Sequence, residues 1–352
     1  MNSTSTPMTP ASTAPLRPRD AKPLKPSRSP ASTTALGVEA LGLGKRYGES
    51  WALRDLDLAV PAGSVLGLLG HNGAGKTTTV RLLTTLAAPS EGRATVAGLD
   101  VVTQSARVRA QIGVAAQEAT VDGLLSARAN LEMIGRLHHL PRAEVRARAS
   151  ELLELFGLGD VAERLVKTYS GGMRRRLDLA ATLVARPAVL FLDEPTTGLD
   201  PASRRDLWNL LQRLTTDGAT LVLTTQYLEE ADALADQIVV LDRGRVVAAG
   251  TPRELKERVG GERIAVTVAA RRELDRAAGA LAAFADGGVD RDAETLTVSA
   301  PIRPGTRLID VVRALDGARV EAIDVARRES TLDDVFLTLT VTSHRLEEVA
   351  AA

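Results

Sequence analysis

The fold of this chain is decided by one stretch, Gly70-His71-Asn72-Gly73-Ala74-Gly75-Lys76-Thr77-Thr78. It follows the phosphate-binding pattern G-x-x-x-x-G-K-T. The hydrophobic run 65–69 before it predicts a buried strand, and the amphipathic run 77–83 after it predicts a helix. Glycines let backbone N–H groups converge on phosphate oxygens, where the positive end of the helix dipole also lies. We therefore expect Lys76 to reach the β- and γ-phosphates of a nucleotide and the Thr77 hydroxyl to ligate Mg²⁺.

Composition places the chain among globular proteins and excludes several kinds of site. The 352 residues predict more than one domain, and the hydrophobic and charged fractions are 44% and 25%. The formal net charge is zero, so no nucleic-acid partner is expected. Because the chain has no cysteine, disulfides, cysteine-ligated zinc and thiol catalysis are excluded, which fits a reducing cytoplasm. The sequence predicts neither a membrane-spanning segment nor a secretory signal.

Changes in composition divide the chain into regions. Residues 1–36 are Ser, Thr, Pro and Ala with scattered Arg and Lys, and we expect a disordered tail. Its basic residues are expected to be solvated, with contact to anionic lipid head groups as the alternative. A nucleotide-binding domain is predicted over 37–260, with a helical subdomain near 120–170 whose helices are predicted over 124–140 and 142–156. Strand patterns at 264–268, 295–298 and 320–325 then alternate with helix patterns in a C-terminal domain at 261–342, which a tail at 343–352 follows.

Polar residues follow the further apolar runs of the nucleotide-binding domain. Gln117, the pair Asp193 and Glu194, and Gln226 each come directly after a run that predicts a buried strand. Two carboxylates at the end of a buried strand are costly unless they hold a cation or transfer a proton. The sequence therefore marks Asp193 and Glu194 as candidates for these roles.

A second anion site is predicted at Ser170-Gly171-Gly172, where a Ser-Gly-Gly turn opens a helix. The arginine run 174–176 that follows is expected to be a solvated helix face. Tyr47 lies between two strands predicted before the phosphate-binding stretch, where its ring can stack on a base. An aromatic residue in that position is more often an ordinary packing residue.

Together these motifs resemble, in the family's order, the ATP-binding subunit of ABC transporters over residues 38 to about 255. The resemblance matches Tyr47 to the base-stacking aromatic, 70–78 to Walker A, Gln117 to the Q-loop, Ser170-Gly171-Gly172 to the signature loop, Asp193 and Glu194 to the end of Walker B, and Asp200 to the D-loop. Tyr169 and Met173 replace the commoner Leu and Gln around the signature loop. Thr-Thr-Gln-Tyr-Leu at 224–228 and Thr-Leu-Asp-Asp-Val-Phe at 331–336 resemble the daunorubicin-resistance subfamily of drug exporters.

The resemblance implies an α/β fold, a P-loop NTPase core of the ABC type with an antiparallel β-subdomain and a helical subdomain. The C-terminal pattern adds a small α+β domain. The implied activity is Mg²⁺-dependent ATP hydrolysis, with Lys76, Glu194 and Gln226 as catalytic residues and Thr77, Gln117 and Asp193 as Mg²⁺ ligands. The family usually has histidine where this chain has Gln226. A glutamine amide donates a hydrogen bond but carries no charge, so we expect a functional and slower ATPase.

The implied partners are a separate transmembrane permease and a second copy of the chain, in a head-to-tail dimer that encloses ATP. This pairing implies an ATPase at the cytoplasmic face of the membrane that energises export of drugs or hydrophobic natural products. One alternative is a soluble ABC ATPase acting on ribosomes or DNA, which the single cassette and neutral charge disfavour. Another is a nucleotide-gated regulator, which Lys76 and Glu194 disfavour and Gln226 leaves open. The C-terminal domain supports assembly or is a stabilising appendage, and the sequence does not separate the two.

Overall fold

The computed structural model describes residues 35–116, 120–258, 262–329 and 331–336. The predictions for residues 1–34, for Gln117 and for 343–352 lie outside these ranges. The strands in chain order are β1 (Leu36–Tyr47), β2 (Ser50–Pro61), β3 (Val65–Leu69), β4 (Glu91–Val96), β5 (Leu99–Asp100), β6 (Ile112–Ala115), β7 (Val189–Asp193), β8 (Thr220–Thr225), β9 (Gln237–Asp242), β10 (Arg245–Gly250), β11 (Glu262–Val268), β12 (Asp290–Asp292), β13 (Thr297–Pro301) and β14 (Ala322–Glu329).

The α-helices account for about half of the remaining described residues. In chain order they are α1 (Lys76–Leu83), α2 (Ser105–Arg109), α3 (Ala127–Leu137), α4 (Arg142–Leu155), α5 (Gly171–Thr182), α6 (Pro201–Thr216), α7 (Leu228–Leu234), α8 (Pro252–Arg258), α9 (Leu274–Ala282), α10 (Leu308–Gly317) and α11 (332–336). Within the described ranges, none of these helices combines the length and the apolar character needed to cross a bilayer.

A six-stranded sheet forms the centre of the molecule, in the order β10-β9-β3-β8-β7-β6. The five strands from β9 to β6 are parallel, and β10 pairs antiparallel at one edge. All residues of β3, β7 and β8 are buried, as expected for parallel strands covered on both faces. Because parallel strands end at the same edge, the segments after β3, β7 and β8 are neighbours.

Two hydrophobic cores cover the two faces of this sheet. In β7, Val189 and Phe191 point into one core, and Leu190 and Leu192 point into the other. The first core is completed by α1 and by the antiparallel sheet β2-β1-β4-β5. The second core is completed by the helices between α3 and α7. The alternation follows from the two-residue period of a strand. The antiparallel pairing of β1 with β2 confirms the strands predicted before the phosphate-binding stretch.

The helical region at 120–170 differs in detail from the predicted pattern. The sequence predicts a helix from Leu124 to Leu140, whereas α3 begins after its N-cap Ser126, whose hydroxyl accepts from the Ala129 N–H. The residues before it form a turn held by buried Asn130, whose amide bonds both the N–H and the C=O of Asp122. These side chain–backbone bonds compete with helix formation, so α3 starts later than its apolar spacing indicates.

The C-terminal residues form a separate antiparallel sheet in the order β12-β13-β11-β14. Helices α9 and α10 pack on one face of it and close a third hydrophobic core. The sequence predicts three strands here, and the missed strand β12 has only three residues, all exposed. The strand predicted at 320–325 begins later, at Ala322. After this sheet, α11 returns to the nucleotide-binding region, where Leu332 and Val335 are buried in the second core of the central sheet.

Candidate active site

The phosphate-binding stretch forms a tight loop between β3 and α1. Gly75 has φ 112°, and a Cβ there would lie 2.9 Å from the carbonyl oxygen of Ala52. The loop is also fastened to the turn after β9, because the Gly244 N–H donates to the Ala74 carbonyl at 2.9 Å. His71 Nε2 lies 2.8 Å from Asp242 Oδ1 at the end of β9. The loop backbone is therefore held in one shape by its neighbours.

Lys76 lies in the interior of this loop rather than in solvent. Its side chain is 5% exposed, and Nζ donates to the Gly70 carbonyl at 2.6 Å. Nζ also lies 3.9 Å from Glu194 Oε1. Burial lowers the pKa of Lys76, and the negative charges of Glu194 and Asp193 oppose that shift. The ammonium group is thus concentrated positive charge at the place where phosphate oxygens would enter.

Asp193 and Thr77 provide a pair of hard oxygen donors. The Thr77 hydroxyl lies 3.4 Å from Asp193 Oδ2, although the residues are far apart in sequence. Buried Thr224 donates its hydroxyl to the other carboxylate oxygen of Asp193 and so fixes the carboxylate orientation. Mg²⁺ is commonly held by one or two protein oxygens, with phosphate oxygens and water completing the shell. A hydroxyl and a carboxylate facing each other beside a phosphate loop fit this ion.

Glu194 follows Asp193 in an unusual backbone conformation. Its φ of 49° is in the left-handed region, which costs a residue other than glycine about 1–2 kcal/mol. Its N–H donates to both the carbonyl and the hydroxyl oxygens of Thr224, each at 3.1 Å. The side chain is 10% exposed and accepts from the Thr197 hydroxyl at 3.3 Å. The turn at Glu194 therefore aims a second carboxylate at Lys76, across from the one on Asp193.

Gln226 lies beyond β8 at the same edge of the sheet and is exposed. It borders a cavity of about 220 Å³ lined by Leu69, Gly70, His71, Gln226, Leu228 and Phe336. The structure thus brings the predicted Gln226 next to the start of the phosphate-binding loop. Phe336 belongs to α11, and sequence reasoning did not connect this C-terminal residue with the site.

Ser170 and Asp200 each begin a helix. Ser170 caps α5 by accepting from the Met173 N–H at 3.2 Å. Asp200 caps α6, accepting from the N–H groups of Ala202 and Ser203, and hydrogen bonds from Ser203 lower its pKa. A Cβ on Gly172 would lie 3.2 Å from the Ser203 hydroxyl, which places the two caps side by side.

Ser170 and Tyr47, two of the predicted site residues, lie apart from the phosphate-binding loop. Among the described residues, no hydrogen bond or ion pair joins the Ser170 loop to the loop at 70–78. Tyr47 is at the end of β1 with a half-exposed ring, and Lys45 Nζ lies 5.1 Å from the ring centroid. The single chain therefore assembles Lys76, Asp193 and Glu194, and it leaves the Ser170 loop and Tyr47 facing outward.

The sequence was compared with protein families and with known proteins. The family model described as ABC transporter matches residues 53–197. The daunorubicin resistance ATP-binding protein DrrA2 of Streptomyces coeruleorubidus is 54% identical over 315 residues, which cover 89% of this chain and 97% of that protein. The chain belongs to the family of ABC transporter ATP-binding subunits. This membership confirms the P-loop NTPase fold, and it makes the chain an Mg²⁺-dependent ATPase that energises a transporter.

Solved structures agree with this family assignment. CbiO1 from Clostridium perfringens, described as part of the ABC transporter complex cbiONQ, has a TM-score of 0.60 and 26% identity, with coverage of 64% of this chain and 93% of that one. A dimeric ATP-binding cassette in a post-hydrolysis state with ADP and Pi has a TM-score of 0.56 and 26% identity, with coverage of 61% and 98%. ABC cassettes bind ATP with Mg²⁺ and work as dimers with a permease.

Sequence reasoning missed two buried charged residues near the edge of the central sheet where β7 and β8 end. The expectation that the arginine run 174–176 is solvated is wrong at Arg175, whose side chain is 12% exposed. Glu230 on α7 is fully buried, and Trp208 Nε1 lies 3.4 Å from its Oε1. Burial raises the pKa of Glu230. Glutamate is rarely fully buried, but a glutamate in a helix gives no local signal of its burial, because the covering residues come from other elements.

Proposed function

We propose that Lys76, Thr77, Asp193 and Glu194 form the Mg²⁺-ATP hydrolysis site of this subunit. The observation that carries the proposal is their convergence: 3.4 Å separates the Thr77 hydroxyl from Asp193, and 3.9 Å separates Lys76 from Glu194. These contacts join the start of α1 to the end of β7, at the edge of the central sheet where the parallel strands end. We call it the catalytic edge, and open α/β sheets usually bind ligands there.

In this proposal the backbone N–H groups of residues 70–78 bind the triphosphate, and Lys76 neutralises charge on the β- and γ-phosphates. Thr77 and Asp193 hold Mg²⁺, with Gln117 as the further ligand that the family resemblance implies. Bound there, Mg²⁺ neutralises charge that develops on the phosphate oxygens. Glu194 orients the attacking water or accepts its proton. Positioning and charge neutralisation then supply most of the catalysis, since phosphoryl transfer asks for little covalent help.

Gln226 is proposed to donate its amide N–H to the γ-phosphate. Support comes from its exposed position beside Gly70 and His71 at the mouth of the loop. An amide offers a hydrogen bond without charge, so we expect lower turnover than a histidine would give. Gln226 alone leaves a nucleotide-gated regulator open, but the paired geometry of Lys76 and Glu194 favours an ATPase.

The Ser170 loop is proposed to act on the nucleotide of a second copy of the chain. Ser170 caps α5, and Gly171 is exposed, so that a Cβ there would meet nothing within 4 Å. A helix N-terminus with free N–H groups suits phosphate oxygens. A head-to-tail dimer would bring this N-terminus to the partner's phosphate-binding loop, and the dimeric cassette among the solved structures supports such a pairing.

The transport role is proposed as export of drugs or hydrophobic natural products through a separate permease at the cytoplasmic face of the membrane. It is supported by the likeness to the daunorubicin resistance protein, which extends over 97% of that protein and so includes its C-terminal part. We further propose that the C-terminal domain supports assembly, because α11 connects it to the cassette core.

The test is Mg²⁺-ATP turnover by the purified chain, alone and in membranes with its candidate permease. We expect Glu194→Gln to lower kcat about 10²- to 10⁴-fold, the usual contribution of a positioned base, while ATP binding persists. The matched control is Glu229→Gln, which makes the same chemical change at an exposed residue. Undiminished turnover in Glu194→Gln would remove Glu194 from its role. Turnover indifferent to the permease would favour a soluble partner.

A further inference from the structure

The guanidinium group of Arg175 binds backbone carbonyl groups at the ends of two strands of the central sheet. From α5, Nε donates to the Pro195 carbonyl at 2.9 Å, and Nη1 donates to the Ala116 carbonyl at 2.7 Å. Nη2 lies 3.3 Å and 3.4 Å from the carbonyl oxygens of Asp193 and Glu194. One side chain therefore spans the end of β6 and the three residues that end β7 and turn out of the sheet.

Asp178, one turn further along α5, holds this guanidinium in place. Asp178 is fully buried, and its Oδ2 lies 3.4 Å from Arg175 Nη1. Its other oxygen accepts from both the N–H and the hydroxyl of Thr120, each at 2.7 Å. Because Asp178 is held by Thr120 on one side and contacts Arg175 on the other, it fixes the direction of the Arg175 guanidinium toward the carbonyls of Ala116 and Pro195.

Three of the four bound carbonyls, those of Asp193, Glu194 and Pro195, belong to the segment with the strained backbone. Glu194 has a left-handed φ of 49°, and such a conformation persists only where surrounding groups over-determine it. Thr224 holds the N–H side of Glu194 from β8, and Arg175 holds the carbonyl side from α5. A planar guanidinium can satisfy several carbonyls in fixed directions, whereas a lysine ammonium is a single point that cannot span them.

We propose that Arg175, fixed by Asp178, is a positioning residue that sets the backbone of Glu194 and couples α5 to the catalytic edge. The inference rests on the proposed role of Glu194. Because α5 begins at the Ser170 loop, movement of that loop is transmitted through Arg175 to the turn that aims the Glu194 carboxylate. Arg175 itself does not contact the reacting atoms.

The experiment measures kcat, KM for ATP and thermal unfolding of the full chain carrying Arg175→Lys, with Asp178→Asn as a second variant. Arg174→Lys is the matched control, since Arg174 is the exposed neighbour in the same run. We expect Arg175→Lys to lower kcat about 10- to 100-fold, the scale of a small misplacement of a catalytic group, with KM within twofold. Asp178→Asn should also lower kcat, and Arg174→Lys should leave kcat unchanged.

A double variant separates this inference from the proposed function. If Arg175 acts through Glu194, then adding Arg175→Lys to Glu194→Gln lowers the residual single-turnover rate no further. The inference is overturned if Arg175→Lys keeps kcat within twofold, raises only KM, or multiplies the defect of Glu194→Gln. It is also overturned if both single variants lose activity only in proportion to lost folded protein. Undiminished turnover in Glu194→Gln alone would instead refute the proposed function.

Discussion

Thr224 holds both carboxylate residues at the end of β7, so replacing it with valine tests the assembled site. The Thr224 hydroxyl donates to Asp193 Oδ1, and the hydroxyl oxygen accepts from the Glu194 N–H at 3.1 Å. Valine has nearly the same shape and keeps the carbonyl that also binds the Glu194 N–H. Since a methyl group needs roughly 3.5 Å from its neighbours, the Asp193 carboxylate must move away from β8 and change its geometry toward Thr77.

The free energy that Thr224→Val should cost follows from the kind of hydrogen bond that the substitution removes. A hydrogen bond to a charged group contributes about 1.5–3 kcal/mol, and Asp193 is only 7% exposed, so water replaces the lost donor poorly. A loss of about 2 kcal/mol lowers Tm by about 4–8 °C in a domain of 150–250 residues. If the same free energy is lost in the transition state, the rate of ATP hydrolysis falls about 30-fold.

The matched control for Thr224→Val is Thr220→Val, on the same strand β8. Thr220 begins β8, is equally buried, and accepts from the Gly63 N–H at 3.0 Å at the end of the strand away from the site. Thr220→Val therefore removes a hydroxyl of the same type with a neutral partner, at a cost of about 1 kcal/mol. Differential scanning calorimetry and Mg²⁺-ATP turnover per folded molecule check both variants. Equal turnover in Thr224→Val and Thr220→Val would refute the argument that Thr224 orients Asp193.

Two further predictions concern buried groups outside the catalytic edge. Burial raises the pKa of Glu230 above 4.5, so the folded state retains a proton that the unfolded state loses, and stability falls as pH rises from 4.5 through the higher folded value. Glu230→Gln should flatten that fall in thermal melts recorded across this range; an unchanged slope would contradict it. Leu332→Ala should lower the free energy of unfolding by about 2–5 kcal/mol in urea titrations, because Leu332 packs α11 into the cassette core. Asp333→Ala, at the exposed neighbour, should change it by less than about 0.5 kcal/mol, and equal effects would mean that α11 does not contribute through packing.

Much of the fold and of the catalytic edge could be predicted from local sequence. An apolar run that ends in a polar residue is a local pattern, and it marked β3, β7 and β8 together with the residues that follow them. Parallel pairing brings the ends of these strands to one edge, and the strand order β3-β8-β7 makes Lys76, Asp193 and Glu194 neighbours there. The short strand β12 was missed because three exposed residues carry no such pattern.

The sequence by itself determined the phosphate-binding loop, the individual buried strands and the carboxylates that follow one of them, because each depends on residues adjacent in the chain. Only the tertiary structure decided which arginine of the run 174–176 is buried, since Arg175 binds carbonyl groups 18 to 59 residues away. It also decided that α11 returns to the cassette, beside Gln226. Helical spacing shows which residues share a face, but the free energy that buries one face comes from distant elements whose position no local pattern contains.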